Sequence, residues 1–124
     1  MRVLLLLALI YPAMASAGFE TGNTLLSTCA EERTFFQDGV CSGYIVGIMD
    51  EHETLLAWEE LNEPAYCAPD GVTIGQAKAI VIKYLKEHPE DLHVSASGLV
   101  LNALAVAFKP RVKFENGEPV VYCP

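Results

Sequence analysis

Basic residues are scarce in this chain of 124 residues: 8 Lys and Arg stand against 16 Asp and Glu, a formal charge of −8 at pH 7. That balance argues against a nucleic-acid binder, which needs a surplus of Lys and Arg to neutralise phosphates. Histidine occurs three times, tryptophan once and cysteine four times. No G-x-S-x-G, P-loop or G-x-G-x-x-G string is present, so the common signatures of hydrolases and nucleotide enzymes are missing. No internal repeat and no low-complexity segment breaks the chain. The apolar share of 52% excludes a disordered acidic tail, and the length fits one domain.

Long hydrophobic runs are also lacking, with one exception. Arg2, the run Val3 to Tyr11, Pro12 and the small residues Ala13 to Ala17 read as a charged start, a short apolar core and an A-x-A cleavage site. The run is too short for a membrane span, which needs ~20 apolar residues. Residues 1–17 are therefore expected to be a cleaved signal peptide and 18–124 the mature domain. No cysteine follows the cleavage site to carry a lipid. Export would place the four cysteines where disulfides persist.

Apolar spacing predicts helices. One is expected over about Thr21 to Arg33, with Leu25, Leu26 and Cys29 as its stripe, and a second from about Phe36 to Leu61, where Cys41, Tyr44, Ile45 and Ile48 recur at helical spacing. Asn62-Glu63-Pro64 ends it. Thr73-Ile74-Gly75-Gln76 is a capping box. Behind it Ala77, Ile80, Val81, Tyr84 and Leu85 form a core stripe that Pro89 stops. A fourth helix, from Pro89 or Ser95 to near Phe108, is apolar on most sides and reads as the centre of the domain. Val112 to Phe114 and Val120 to Tyr122 flank Asn116-Gly117, a hairpin signal that Pro119 threatens to make irregular.

Cys29, Cys41, Cys67 and Cys123 allow three pairings. Cys29–Cys41 with Cys67–Cys123 is favoured, because each bond then fixes a terminus that has little else to hold it. Zinc-ligand spacing is absent, and an even count in an oxidising compartment argues against a catalytic thiol. Gly39, Gly43 and Gly47 recur every four residues on one helix face. Each costs about 1 kcal/mol against Ala, so close approach of another backbone is expected there, within the chain or else across a subunit interface.

Charge is segregated. From residue 34 to 77 there is no Lys or Arg, only Asp38, Asp50, Glu51, Glu53, Glu59, Glu60, Glu63 and Asp70. Such a run is either a solvated face or a docking surface that steers a basic partner. Trp58 sits among these acids, where it serves either as a hot spot or as core filling. His88-Pro89-Glu90-Asp91-Leu92-His93 clusters polar groups, yet histidines five apart do not share a helical face. It reads as a surface or partner-binding loop, with no metal and no catalytic residue assigned.

Several strings together resemble one family. Gly22-Asn23-Thr24-Leu25-Leu26-Ser27-Thr28-Cys29 is similar to its opening G-N-x-L-L-x-x-C, and Cys41-Ser42-Gly43-Tyr44-Ile45-Val46-Gly47-Ile48-Met49-Asp50 to C-x-G-Y-I-x-G-x-x-D. Cys67-Ala68-Pro69 with Gly71-Val72-Thr73-Ile74-Gly75-Gln76 resembles C-x-P…G-V-T-x-x-Q. Val81 to Glu90 resembles V-x-x-Y-L-x-x-H-P-E, and Ala103 to Phe108 resembles A-L-x-x-A-F. These are strings of the Rap/Tai-type immunity proteins of type VI secretion. The resemblance covers residues 22–108. The family ends F-P-C after its last helix, whereas here Lys109-Pro110 opens an extension over 109–124 that carries Cys123.

The resemblance implies a helical, disulfide-bonded periplasmic protein that blocks a peptidoglycan amidase of papain-like chemistry, often as a dimer. The expectation is thus an all-α, four- to five-helix domain with an extended or hairpin-like C-terminal strap. It is expected to be no enzyme and to need no cofactor. Its partner is a basic cell-wall amidase, or a second copy of itself; the alternative is a periplasmic adaptor without a toxin. Candidate contacts are Trp58, Glu59, Glu60 and Glu63 after the second helix, and Glu90, Asp91 and His93 before the fourth.

Overall fold

Three threonines open three helices, each by the same reciprocal cap. Thr21, Thr34 and Thr73 accept from the backbone N–H three residues on, and Thr24, Gln37 and Gln76 reach back to the N–H of the cap residue. The structure, a computed structural model, describes residues 19–30, 32 and 34–124, so the expected leader lies outside the described residues. Helix α1 spans Gly22–Thr28, α2 Phe35–Ala57, α3 Ile74–Glu87 and α4 Ala96–Ala107, with a single 3₁₀ turn at Pro89–Asp91. Strands β1 (Arg111–Glu115) and β2 (Glu118–Tyr122) complete the chain. No described helix is long and apolar enough to cross a membrane.

Helix α1 stops five residues short of the expected end. Cys29 closes it as the C-cap, fully buried and bonded to Cys41 in α2. The T-x-x-Q signature of Thr34 and Gln37 sets the start of α2 at Phe35. Its end at Ala57, not Leu61, is a Schellman turn: Glu59 donates to the Leu56 carbonyl at 3.1 Å and Glu60 to that of Leu55 at 3.0 Å.

The core joins Leu25, Ile45, Tyr66, Val81, Leu85, Leu99, Val100 and Leu104 with the Cys29–Cys41 bridge. The stripe read on α3 buries Ala77, Val81 and Leu85 and leaves Ile80 and Tyr84 half-buried. Helix α4 packs on the other three helices, yet Val106 on its outer side is 72% exposed, so its greasiness is not matched by burial all round. Lys78, buried near the start of α3, pairs with Asp38 in the first turn of α2.

Gly22 is a glycine for want of room. A Cβ there would stand 2.5 Å from Leu99 Cδ1 and 2.9 Å from the Leu92 Cα. The expected close neighbour for Gly39, Gly43 and Gly47 is not found: beyond their chain neighbours and the helix's own backbone, no described atom lies within 4 Å of where their Cβ atoms would stand. They face outward because Cys41 and Ile45, on the opposite side of α2, take the core.

The body is helical as expected, but the chain is not strictly all-α. Its tail is a regular antiparallel hairpin, with Asn116 and Gly117 at φ +52° and +84°, the two positive values that a tight hairpin turn demands. Pro119 does no damage. It faces Phe114, one step from the Glu115–Glu118 pair that closes the turn, and that step is a non-hydrogen-bonded pair needing no N–H. A disulfide from Cys67 to Cys123 holds the end of the hairpin to the loop before α3.

Candidate functional site

Three local rules are broken together where α2 ends. Trp58, the C-cap, leaves 71% of its surface in water, so core filling is not its role here. Glu59 takes φ +59°, a left-handed conformation that glycine adopts freely and other residues at a cost. Glu59, Glu60 and Glu63 are exposed beside a helix C-terminus, whose dipole disfavours anions, and no basic residue lies in the last turn. Departures from local preference that converge on one surface are where function is to be sought.

The second candidate segment is held rigidly. The first two N–H groups of α1 reach across to it: Gly22 donates to the Val94 carbonyl at 3.0 Å and Asn23 to that of Leu92 at 2.8 Å. Ala96 in turn donates to the Glu20 carbonyl at 2.9 Å. Orphan donors of two helix starts are thereby satisfied by the partner segment. Within the loop, His88 caps α3 and its ring lies tilted against that of Tyr84, centroids 4.1 Å apart. Its Nδ1 lies 3.3 Å from a Glu90 oxygen, and His93 Nδ1 lies 3.0 Å from the Glu90 carbonyl. Glu90's own backbone amide, and then His88, hold its carboxyl below the usual range. Glu90 and His93 are exposed and Asp91 is half-buried.

The structure thus brings Glu90, Asp91 and His93 into one turn and Trp58, Glu59, Glu60 and Glu63 into another. No hydrogen bond or ion pair joins the two groups among the described residues. Leu61 and Leu55 from the first segment share the lining of a shallow cavity of about 250 Å³ with His52 and with Ser97 and Leu101 of α4.

His52 was not singled out by its sequence position, although it falls on the buried stripe of Cys41, Ile45 and Ile48. It is 3% exposed, accepts from the Ala65 N–H through Nε2 at 3.0 Å, and stacks on Tyr66 at 4.3 Å. Its Nδ1 and the Tyr66 hydroxyl are buried with no hydrogen-bond partner. Burial, with Glu53 and Asp50 nearby, pushes the Tyr66 phenol up to about 12. The pair fastens the loop after α2 to the helix.

All four cysteines are in disulfides, so none is a thiolate nucleophile. Ligand atoms of His88, Glu90 and Asp91 lie within 4.8 Å of one another and could accept a cation. Exposed carboxylates gather in this way without one, and the His88 nitrogen already faces Glu90. What the two surfaces present is an exposed indole, exposed acidic groups and a braced loop.

A family model for Rap1a immunity proteins matches residues 21–109. The chain belongs to the Rap1a immunity protein family. An immunity protein acts on a protein partner, a secreted toxin. No curated protein and no solved structure matches the chain. Within the matched residues, the Gly22-Asn23 pair is the brace of the 92–94 segment and Cys29 and Cys41 are the core bridge. Gly43 and Gly47, by contrast, have no structural neighbour to explain them. The hairpin, from Arg111 on, lies outside the match.

Proposed function

We propose that this member of the Rap1a immunity family is exported to the periplasm and there binds and blocks a peptidoglycan amidase delivered by type VI secretion. The family match carries the reading. The apolar leader sequence and the two disulfides are consistent with an oxidising compartment. The protein works by occlusion and performs no chemistry of its own.

Two surfaces are proposed to meet the enzyme. Trp58 supplies a large, rigid apolar contact of the kind that dominates interface energetics, and Glu59, Glu60 and Glu63 surround it. Glu90, Asp91 and His93 supply a second contact on a loop whose backbone is already fixed, so little ordering entropy is lost on docking. The acidic field from α2 and its following loop speeds encounter with a basic amidase and disfavours acidic competitors. A standard interface buries ~1,600 Å² in total, which both segments would have to share.

The test is direct. The oxidised protein is titrated into a purified type VI amidase and hydrolysis of peptidoglycan is followed. Turnover should fall to background near one equivalent. Full activity with the protein in excess would reject inhibition of that enzyme.

A further inference from the structure

Apolar side chains meet without a cover where α2, the loop after it and α4 come together. Ile48 and Leu55 of α2, Leu61 of the loop and Leu101 of α4 line the shallow cavity of about 250 Å³ there. Each keeps part of its surface in solvent. His52 belongs to the same lining, and the Ala65 N–H and the Tyr66 ring hold it in place. The cavity is therefore formed before anything enters it, which lowers the cost of docking. Small-molecule sites run to roughly 300–1,000 Å³, so this one is scaled to a single side chain.

The charge around it has one sign. Glu51 also lines the cavity, exposed and, among the described residues, without an ion pair. No Lys or Arg is in the lining. Helix α2 ends soon after Glu51, and the negative end of its dipole has no base in the last turn. Glu59, Glu60 and Glu63 follow. The cation that such a helix end favours is thus not supplied by this chain. An apolar wall beside uncompensated negative charge suits lysine or arginine, which lays its methylene stem on apolar surface and keeps its charged head at the water's edge. An aliphatic side chain would leave the charge uncompensated, and an acidic one would be repelled.

We propose that this cavity is the seat of one basic side chain, a lysine or arginine, presented by the protein toxin. The stem lies against Ile48, Leu55, Leu61 and Leu101, and the charge is shared between Glu51 and the C-terminal end of α2. The proposal rests on the reading of this chain as a toxin blocker and names what the toxin must offer in addition to a partner for Trp58. It also divides the work of the acidic segment. The field brings a basic surface close, and the cavity fixes where that surface stops. A basic side chain anchored in a pre-formed pocket is a common centre of binding energy when it is arginine.

Calorimetric titration of the oxidised protein with a purified type VI amidase tests it. Glu51→Lys places a base of the chain's own at the cavity, and Leu61→Trp fills the cavity without changing its charge. Each should weaken binding about tenfold or more. Lysine and glutamate are nearly equal helix formers and Leu61 lies in a loop, so thermal melts should match wild type and a loss of binding cannot be laid to the fold. Glu118→Lys makes the same change in net charge on the hairpin. Screening limits an exposed charge to a reach of about 8 Å at physiological salt, so its affinity should stay within about twofold of wild type. Undiminished binding by E51K or by L61W overturns the cavity as the seat and leaves the amidase reading standing. Equal losses in E51K and E118K assign the effect to net charge and overturn it too. Wild-type protein that does not bind rejects the amidase reading itself, and the proposal with it.

Discussion

The backbone N–H of Ala65 donates to Nε2 of His52 at 3.0 Å. That bond fixes which ring nitrogen is the acceptor, leaves the proton on Nδ1, and ties the loop after α2 back to the helix thirteen residues earlier. Replacing His52 by Phe keeps a ring for Tyr66 to stack on and removes the acceptor. Unfolding should become easier by about 1 kcal/mol, the value of a part-buried hydrogen bond. Amide exchange should show the loss concentrated at Ala65.

Tyr66 makes the opposite expectation. Its hydroxyl is buried with no partner, so Tyr66→Phe removes a desolvated group and keeps the packing. Denaturant midpoints should be unchanged or higher, by up to about 1 kcal/mol.

The same phenol sets an alkaline limit. Burial first, then Glu53 and Asp50, raise it from 10.0 to about 12 in the fold. The unfolded chain therefore loses this proton before the folded chain does, and stability falls as pH rises from 10 towards 12. Below pH 10 the group adds no slope. Stability measured against pH should show this loss in the wild type and less of it in Tyr66→Phe.

Two glycine substitutions should move stability in opposite directions. Gly22→Ala forces a methyl to within 3 Å of Leu99 and the Leu92 backbone, at a cost of about 1–3 kcal/mol from overpacking. Gly47→Ala meets open space in the middle of a helix and should stabilise by about 1 kcal/mol. Thermal melts of the two variants beside wild type decide both.

What could be read in the sequence was local. The Thr73–Gln76 cap, the Ala77, Val81 and Leu85 stripe and the Asn116–Gly117 turn depend on residues a few positions apart, and each is where the pattern put it. The Thr34–Gln37 cap is equally local, with the same T-x-x-Q spacing. Periodicity told that Gly39, Gly43 and Gly47 share a face, but not that the face looks into water. That depends on which side of α2 the rest of the chain takes. His52 was hidden by its polarity on an otherwise apolar stripe. The brace from Gly22 and Asn23 to residues 92–94 joins segments some seventy positions apart, and no spacing rule reaches that far. Of the candidate contacts, the exposure of Trp58 is a tertiary fact, and the left-handed Glu59 belongs to a Schellman turn that no glycine announces.

Glu59 separates stability from recognition. In the fold it holds φ +59° at the position of a Schellman turn where glycine is the favoured residue. Its charge also sits at the unfavourable end of the helix dipole. Glu59→Gly relieves both penalties, while the Glu60 N–H still closes the turn on Leu55. The variant should therefore be more stable than wild type by about 1 kcal/mol, somewhat offset by glycine's greater freedom in the unfolded chain. If the acidic rim around Trp58 meets the toxin, the same change should slow association, with most of the difference vanishing at high salt. Chemical denaturation reads the first effect and stopped-flow binding to the amidase the second. A gain in stability with unaltered association would show that the strained residue does not contribute to docking, and would leave Trp58, Glu60 and Glu63 to account for any contact at this end of α2.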